Sequence, residues 1–381
     1  MNYEQNLSLF EKYIDSLKNE IYHDGEFTSE LEHKIANHKM ELIQNKINHT
    51  LRTVKDIAKV ATNMNMNVDF VSIVKYTALL HDYGRFEQAC RYNHYVDTAF
   101  SEDKFTVVKN GITLPVKNHA QFGYKRLFNE NQISKNFEIE SNLYNIIGES
   151  VFYHGDPYIP DHLIGDVENS ITSGYLNKIN YYQKNLNESE KILATTVLML
   201  MQDVDKIDIL FQSTFGEIPV VRDFVCVSET SKGINYLVDK YGVSKEEIIE
   251  TNKLLSDNIK ECEYIKIPLK NANLEALRIP DDIREKLLNQ EHIPLYELTS
   301  RKEHNFIAAM WWKLSEFVNN MHFTSTLEVM KNKGLLDDIY DAYPDEYKFL
   351  VEEIFDFVKT VLIEQKLKES GDKILCSSLR K

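Results

Sequence analysis

Read for the alternation of apolar and polar positions, the first part of the chain keeps a helical period. In "ELIQNKINHTLRTVKDIAKVATNM", Ile43, Ile47, Leu51, Val54, Ala58 and Ala61 recur at steps of three and four, which puts them on one face of a helix. The stretch "VDFVSIVKYTALLH" repeats the pattern, with Asp69 as its N-cap and Gly84 as its stop. "NLYNIIGESVFYHG" sets Leu143, Ile147, Val151 and His154 on one side and ends at Gly155. "SEKILATTVLMLMQDVDKIDILF" is apolar nearly all round at its centre, which predicts a helix buried through the middle of a domain.

The pattern changes after "STFGEIPVV". Alternating "FVCVS" is followed by helical "INYLVDKYG" and "SKEEIIETNKLL", then by alternating "EYIKIPL", a strand-helix-helix-strand order. Helical spacing resumes in "IPDDIREKLLNQ", "EHNFIAAMWWKLSEFVNNM" and "DEYKFLVEEIFDFVKTVLIEQKL", before a polar tail. The expected fold is mainly α: a helical domain begun by residues 1–221 and completed by 270–369, a small α+β insert at 222–269, and a tail at 370–381.

Composition narrows the function classes. The chain has 381 residues, 43% of them hydrophobic, which suits a soluble globular protein. Its start, "MNYEQNLSLFEKYIDSLKNE", lacks an apolar signal core, and no segment reaches the apolar length of a membrane span, so a cytoplasmic protein without a membrane partner is expected. A formal charge of −15 argues against coating nucleic acid, which needs a basic face. Cys90, Cys226, Cys262 and Cys376 form no CxxC pair and read as reduced thiols.

The candidate chemistry starts at "YTALLHDYGRFEQ", where a core-like helix ends on His81-Asp82. The other such pair, His23-Asp24, lies in a polar turn with no apolar helix feeding it and is not read as a site. His49 sits mid-helix in "INHTLRTV", His119 begins "HAQFGYKRL", His154 closes "VFYHG", and Asp203 and Asp205 lie in "MQDVDKIDIL". Buried imidazoles and carboxylates are costly unless paired, hydrogen-bonded or metal-bound. Four helices converging on His49, His81, Asp82, His119, His154 and Asp205 would supply nitrogen and oxygen ligands for one or two divalent metals.

The order His49, His81-Asp82, Asp205 resembles the H, HD, D pattern of the HD superfamily of metal-dependent phosphohydrolases. "ALLHDYGR" is similar to that family's ALLHDIGK/R block, "DVDKIDIL" to its DADKLD block, and "HDYGRFEQ" to a bacterial subgroup carrying LHDIGRFEQ. Tyr83 stands where the family has an aliphatic residue. The resemblance runs from about residue 30 to residue 212 and implies an all-helical HD-domain bundle. It implies that His49, His81 and Asp205 hold a first ion and His119 and His154 a second; the match favours Asp205 over Asp203.

Asp82 is the natural bridge, since a carboxylate has two oxygens to share. The implied reaction is hydrolysis of a phosphoester or phosphoanhydride bond of a small nucleotide by metal-activated water. The metal would be manganese, iron, cobalt, nickel or zinc. Asp82 would act at the reacting centre, with Arg85 and Lys206 binding phosphate or transition-state charge. Arg52, Arg91 and Arg126 rank behind them. A nucleotide sensor without turnover and a nuclease are the alternative readings.

Ser231 to Pro268 resembles a LysM module in its "LVDKYGVS" block, Asn252 and closing "YIKIP". Ser231-Lys232-Gly233-Ile234 stands where that family has Gly-Asp-Thr-Leu. The LysM-like insert is therefore read as an accessory contact, with glycan binding as the secondary expectation.

Overall fold

In a computed structural model of the chain, the described residues are 3–23, 29–95, 97, 99–100, 103–156, 159–160, 163, 188–215, 224–227, 229–252, 254, 257–259, 265–268, 270–289, 291, 311, 314–315, 317–318, 320–341, 343 and 345–369. Asp24 of the His23-Asp24 pair, Trp312 and the tail at 370–381 lie outside them. The protein is mainly helical and divides into two compact units, Met1–Asp208 and Ile209–Gly371. No described helix is long and apolar enough to cross a membrane.

The first unit is built on α1 (Tyr3–His23), α2 (Glu30–Asn63), α3 (Val68–Leu80) and α4 (Tyr83–Tyr92). Helix α2 starts at a capping box, in which Ser29 Oγ accepts from the Glu32 N–H at 3.2 Å and the Glu32 carboxylate accepts from the Ser29 N–H at 3.2 Å. Its buried stripe includes Ile43, His49, Thr53, Val54, Ile57, Val60 and Ala61. Leu51, expected on that face, instead points outward at 39% exposure.

Two expected helix boundaries are corrected. Asn67, not Asp69, caps α3, its side-chain oxygen accepting from the Phe70 N–H at 2.8 Å; Asp69 falls in the first turn, where its charge suits the helix dipole. Gly84 does not stop α3, which ends at Leu80; after His81-Asp82 the chain restarts at once as α4, with Gly84 inside its first turn. The reason for a glycine there is contact. A Cβ at Gly84 would lie 2.3 Å from the His119 carbonyl oxygen and 2.7 Å from the Gly123 nitrogen, so the two backbones meet directly.

The expectation of helices alone up to the insert also fails at one place. Strands β1 (Thr106–Lys109) and β2 (Ile112–Pro115) form an antiparallel hairpin, Lys109 facing Ile112. Its turn, Asn110-Gly111, has positive φ at both positions (52° and 78°), the two-residue geometry that matches strand twist. Helices α5 (His119–Tyr124), α6 (Gln132–Asn136) and α7 (Tyr144–Tyr153) follow, and α8 (Glu188–Phe215) supplies a stretch from Ala194 to Val204 that is buried throughout. Ile57, Leu80, Phe86, Ile147, Val151, Leu198 and Val204 are among the fully buried core residues.

In the second unit, β3 (Phe224–Val227) pairs antiparallel with β4 (Ile265–Pro268), and α9 (Ile234–Tyr241) and α10 (Lys245–Asn252) lie between them in sequence. Asn252 ties α10 to β4, donating to the Lys266 carbonyl and accepting from the Lys266 N–H, both at 2.8 Å. The helices of residues 270–369, expected to complete the first domain, are grouped with this segment. They pack on one another: Trp311 is buried, donates to the Tyr343 hydroxyl at 3.2 Å and meets Phe355 edge-on, while Tyr340 stacks on Phe355 at 4.0 Å.

Candidate metal centre

Three helices, one helix junction and one helix end place six side chains around a common centre in the first unit. His49 comes from the middle of α2, His81 and Asp82 from the junction of α3 and α4, His119 from the first residue of α5, His154 from the C-terminal end of α7, and Asp205 from α8. His49, His81, Asp82 and His154 are each at most 4% exposed.

The imidazoles share one orientation. The Nδ1–H of His81 donates to the Ala78 carbonyl at 2.7 Å and that of His154 to the Val151 carbonyl at 3.0 Å, both one turn back on their own helices. His49 Nδ1 meets Asp208 Oδ2 at 2.7 Å, and His119 Nδ1 meets the Asp97 carboxylate at 3.2 Å. A carbonyl or carboxylate can only accept, so Nδ1 carries the proton and the Nε2 lone pair is left for the centre. This is the outer partnership that metal-ligating histidines ordinarily have.

The Nε2 atoms fall into two pairs, His49 with His81 at 3.1 Å and His119 with His154 at 3.1 Å. Asp82 stands between the pairs and gives each a different oxygen. Its Oδ2 lies 3.1 Å from His49 Nε2 and 3.2 Å from His81 Nε2; its Oδ1 lies 3.4 Å from His119 Nε2 and 3.6 Å from His154 Nε2. Asp205 Oδ1 joins the first pair, 3.3 Å from His49 Nε2 and 3.8 Å from His81 Nε2.

Two lone pairs facing each other at 3.1 Å repel unless a proton or a cation lies between them. With metal–ligand bonds of roughly 2.0–2.1 Å, donors at octahedral to tetrahedral angles sit about 2.8–3.4 Å apart, so the spacing of the nitrogens fits a divalent ion. The groupings His49, His81, Asp205, the last partly exposed, and His81, Asp82, His154, all buried, could each hold a metal ion.

The electrostatics describe a centre that is short of positive charge. Burial, and then the Lys46 ammonium, push the His49 imidazole down, but the hydrogen bonds it donates to the carboxylates of Asp205, Asp208 and Asp82 outweigh both and lift it to about 10. Burial lowers His81 despite the neighbouring Asp82. Burial would raise Asp82, yet Lys46, His81, His154 and His49 hold it well below the usual carboxylate range; Asp205 is lowered against its own burial by His49 and His81. His119 falls to about 4 through burial and the Arg85 charge.

Arg85 and Lys206 are placed beside the centre rather than in it. Arg85 Nη1 donates to Asp97 Oδ1 at 2.9 Å and to the Tyr95 carbonyl at 2.7 Å, so it braces the carboxylate that orients His119. Lys206 Nζ lies 3.9 Å from Asp203 Oδ1 on its own helix, and Asp205 is the aspartate of that stretch brought to the histidines. Arg52 clamps Asp208 at 2.6 and 3.0 Å, behind His49. Arg91 and Arg126 both bind Glu87 and face elsewhere.

Three participants were not singled out from the sequence. Lys46 Nζ sits 2.8 Å from Asp82 Oδ2, one turn before His49 on α2, a spacing of three that puts both on one face. Asp208 follows Asp205 by the same three-residue step, so both had a periodicity that could have been read. Asp97 lies between α4 and the hairpin, where no periodicity points to it. Comparison with protein-family models, with curated proteins and with solved structures finds no match to this chain.

Proposed function

We propose that this protein is a metal-dependent phosphohydrolase that cleaves a phosphoester or phosphoanhydride bond of a small nucleotide. The observation that carries the reading is Asp82, whose two carboxylate oxygens each face a separate pair of histidine Nε2 atoms. Its likeness to the H, HD, D pattern of HD phosphohydrolases supports the same reading. His49, His81, Asp82 and Asp205 would hold one divalent ion, and Asp82, His119 and His154 a second. Ions bound there would supply an activated water and neutralise charge on a phosphoryl oxygen.

The chain's own residues do the rest. Asp208, Asp97 and the carbonyls of Ala78 and Val151 fix the four imidazoles so that no ring has to reorient as the site fills. Arg52 and Arg85 hold two of those partners in place. Lys46 is the cation in direct reach of Asp82, partly exposed at 16%, and is the group able to turn from that carboxylate to a substrate phosphate. Lys206, partly exposed, is lowered by desolvation against the pull of Asp203 and Asp205, and serves those aspartates of α8.

The test is phosphate or nucleoside release from a panel of mononucleotides, cyclic nucleotides and guanosine polyphosphates in manganese, with metal content measured in parallel. Turnover that disappears in His81→Ala/Asp82→Ala supports the proposal. A wild-type protein that takes up no metal after reconstitution would sink it, and one that binds metal and nucleotide without turnover would transfer the assignment to a sensor.

A further inference from the structure

Helix α4 has two distinct faces. Gly84, Arg85 and Gln88 look toward α5 and the metal centre, whereas Tyr83, Glu87, Cys90 and Arg91, at steps of four, three and one, line a separate cavity. This cavity, of about 850 Å³, lies between α1, the first turns of α2, α4 and α6. Its size falls in the range of roughly 300–1,000 Å³ typical of small-molecule sites. Buried Leu17, Ala36, Tyr83 and Glu87 form its floor, and the half-exposed side chain of Ile35 extends an apolar wall.

The charges around it run against those of the whole chain. Five cationic and three acidic side chains line the cavity in a protein whose formal charge is −15. Glu87 accepts from Arg91 at 2.7 Å and Arg126 at 2.6 Å and so holds both guanidinium groups against the floor. Lys12 and Lys39 line the cavity and form no ion pair among the described residues, and Lys135 lies across from them on α6. Tyr13 stacks on buried Tyr83 with ring centroids 4.4 Å apart and planes 14° from parallel, and keeps partial exposure to the cavity. A planar ring can extend that stack, and an attached anion then meets the lysines.

We propose that this cavity binds a small organic anion with a planar ring, of mononucleotide size, its ring against Tyr13 and its anionic group among Lys12, Lys39 and Lys135. Tyr83 directly follows Asp82, so the occupant bears on the turn that carries the metal-centre aspartate. The binding itself does not depend on what that centre catalyses.

Calorimetric titration of the full chain in EDTA, as wild type and as Asp82→Ala, separates this site from the metal centre. The probes are AMP, GMP and UMP, with ribose 5-phosphate and inorganic phosphate as ring-free controls. At least one mononucleotide is expected to bind both proteins alike, at least tenfold more tightly than ribose 5-phosphate. Lys12→Glu/Lys39→Glu, with its thermal melt unchanged, is expected to weaken that binding at least tenfold. Binding by no mononucleotide, equal binding of ribose 5-phosphate or phosphate, or indifference to the lysine pair would each overturn the proposal. Absence of nucleotide turnover by the wild type in manganese, with this binding intact, would count against the phosphohydrolase reading alone.

Discussion

The decisive side chain is a single carboxylate. Asp82 meets two histidine pairs through different oxygens, so its removal should be felt by both, whereas each histidine belongs to one. Metal analysis after reconstitution should therefore show His154→Ala losing about one ion and Asp82→Ala losing essentially all. Equal loss in the two variants would refute the sharing. Lys46 makes the opposite prediction. Its ammonium contacts Asp82 but cannot ligate a cation, so Lys46→Met should keep its metal and lose about 10²-fold in kcat, the usual scale for removing one charge-stabilising donor. A metal-depleted Lys46→Met protein would make that residue structural.

At the level of elements, the β1–β2 hairpin is fastened by charge. Lys109, at the end of β1, meets Glu149 of α7 at 2.7 Å, with both side chains nearly fully buried and the ammonium over the Tyr124 ring at 4.5 Å. Lys109→Met leaves a buried carboxylate with its ammonium partner removed, and should destabilise the first unit by about 3–5 kcal/mol in denaturant titration. A change under about 1 kcal/mol would mean that water reaches Glu149. Much of the element order could be read from the chain, because long helices such as α2 and α8 repeat their apolar positions over many turns. The hairpin could not be read from periodicity, since its strands have four residues each and only Asn110-Gly111 announces the turn. The α3–α4 boundary differs from the local reading because Gly84 resembles a helix stop when viewed locally. Its actual reason, contact with the backbone of α5, involves residues far along the chain. His49, His81, His119 and His154 were legible as polar residues on apolar helices; Asp97, in a short connection, carried no such mark.

For the whole molecule, all six candidate ligands belong to Met1–Asp208, so metal should stabilise one unit selectively. A free ion at a hundred times its dissociation constant adds about 2.7 kcal/mol to the folded form it binds. Hydrogen exchange with and without EDTA should show the loss of protection in α2, α3, α5, α7 and the first part of α8, with the β3–β4 pair unchanged. Uniform loss across both units would mean that they unfold together. The approach of Gly84 to Gly123 carries one further consequence, for how this sequence can drift. At these two positions selection acts on the absence of a side chain, so they should tolerate substitution as poorly as the ligands themselves while touching neither metal nor substrate. In a saturation library scored for activity they would be indistinguishable from catalytic positions. Scored for soluble yield they would separate from them, since a lost ligand leaves the helices packed and an added Cβ drives them apart.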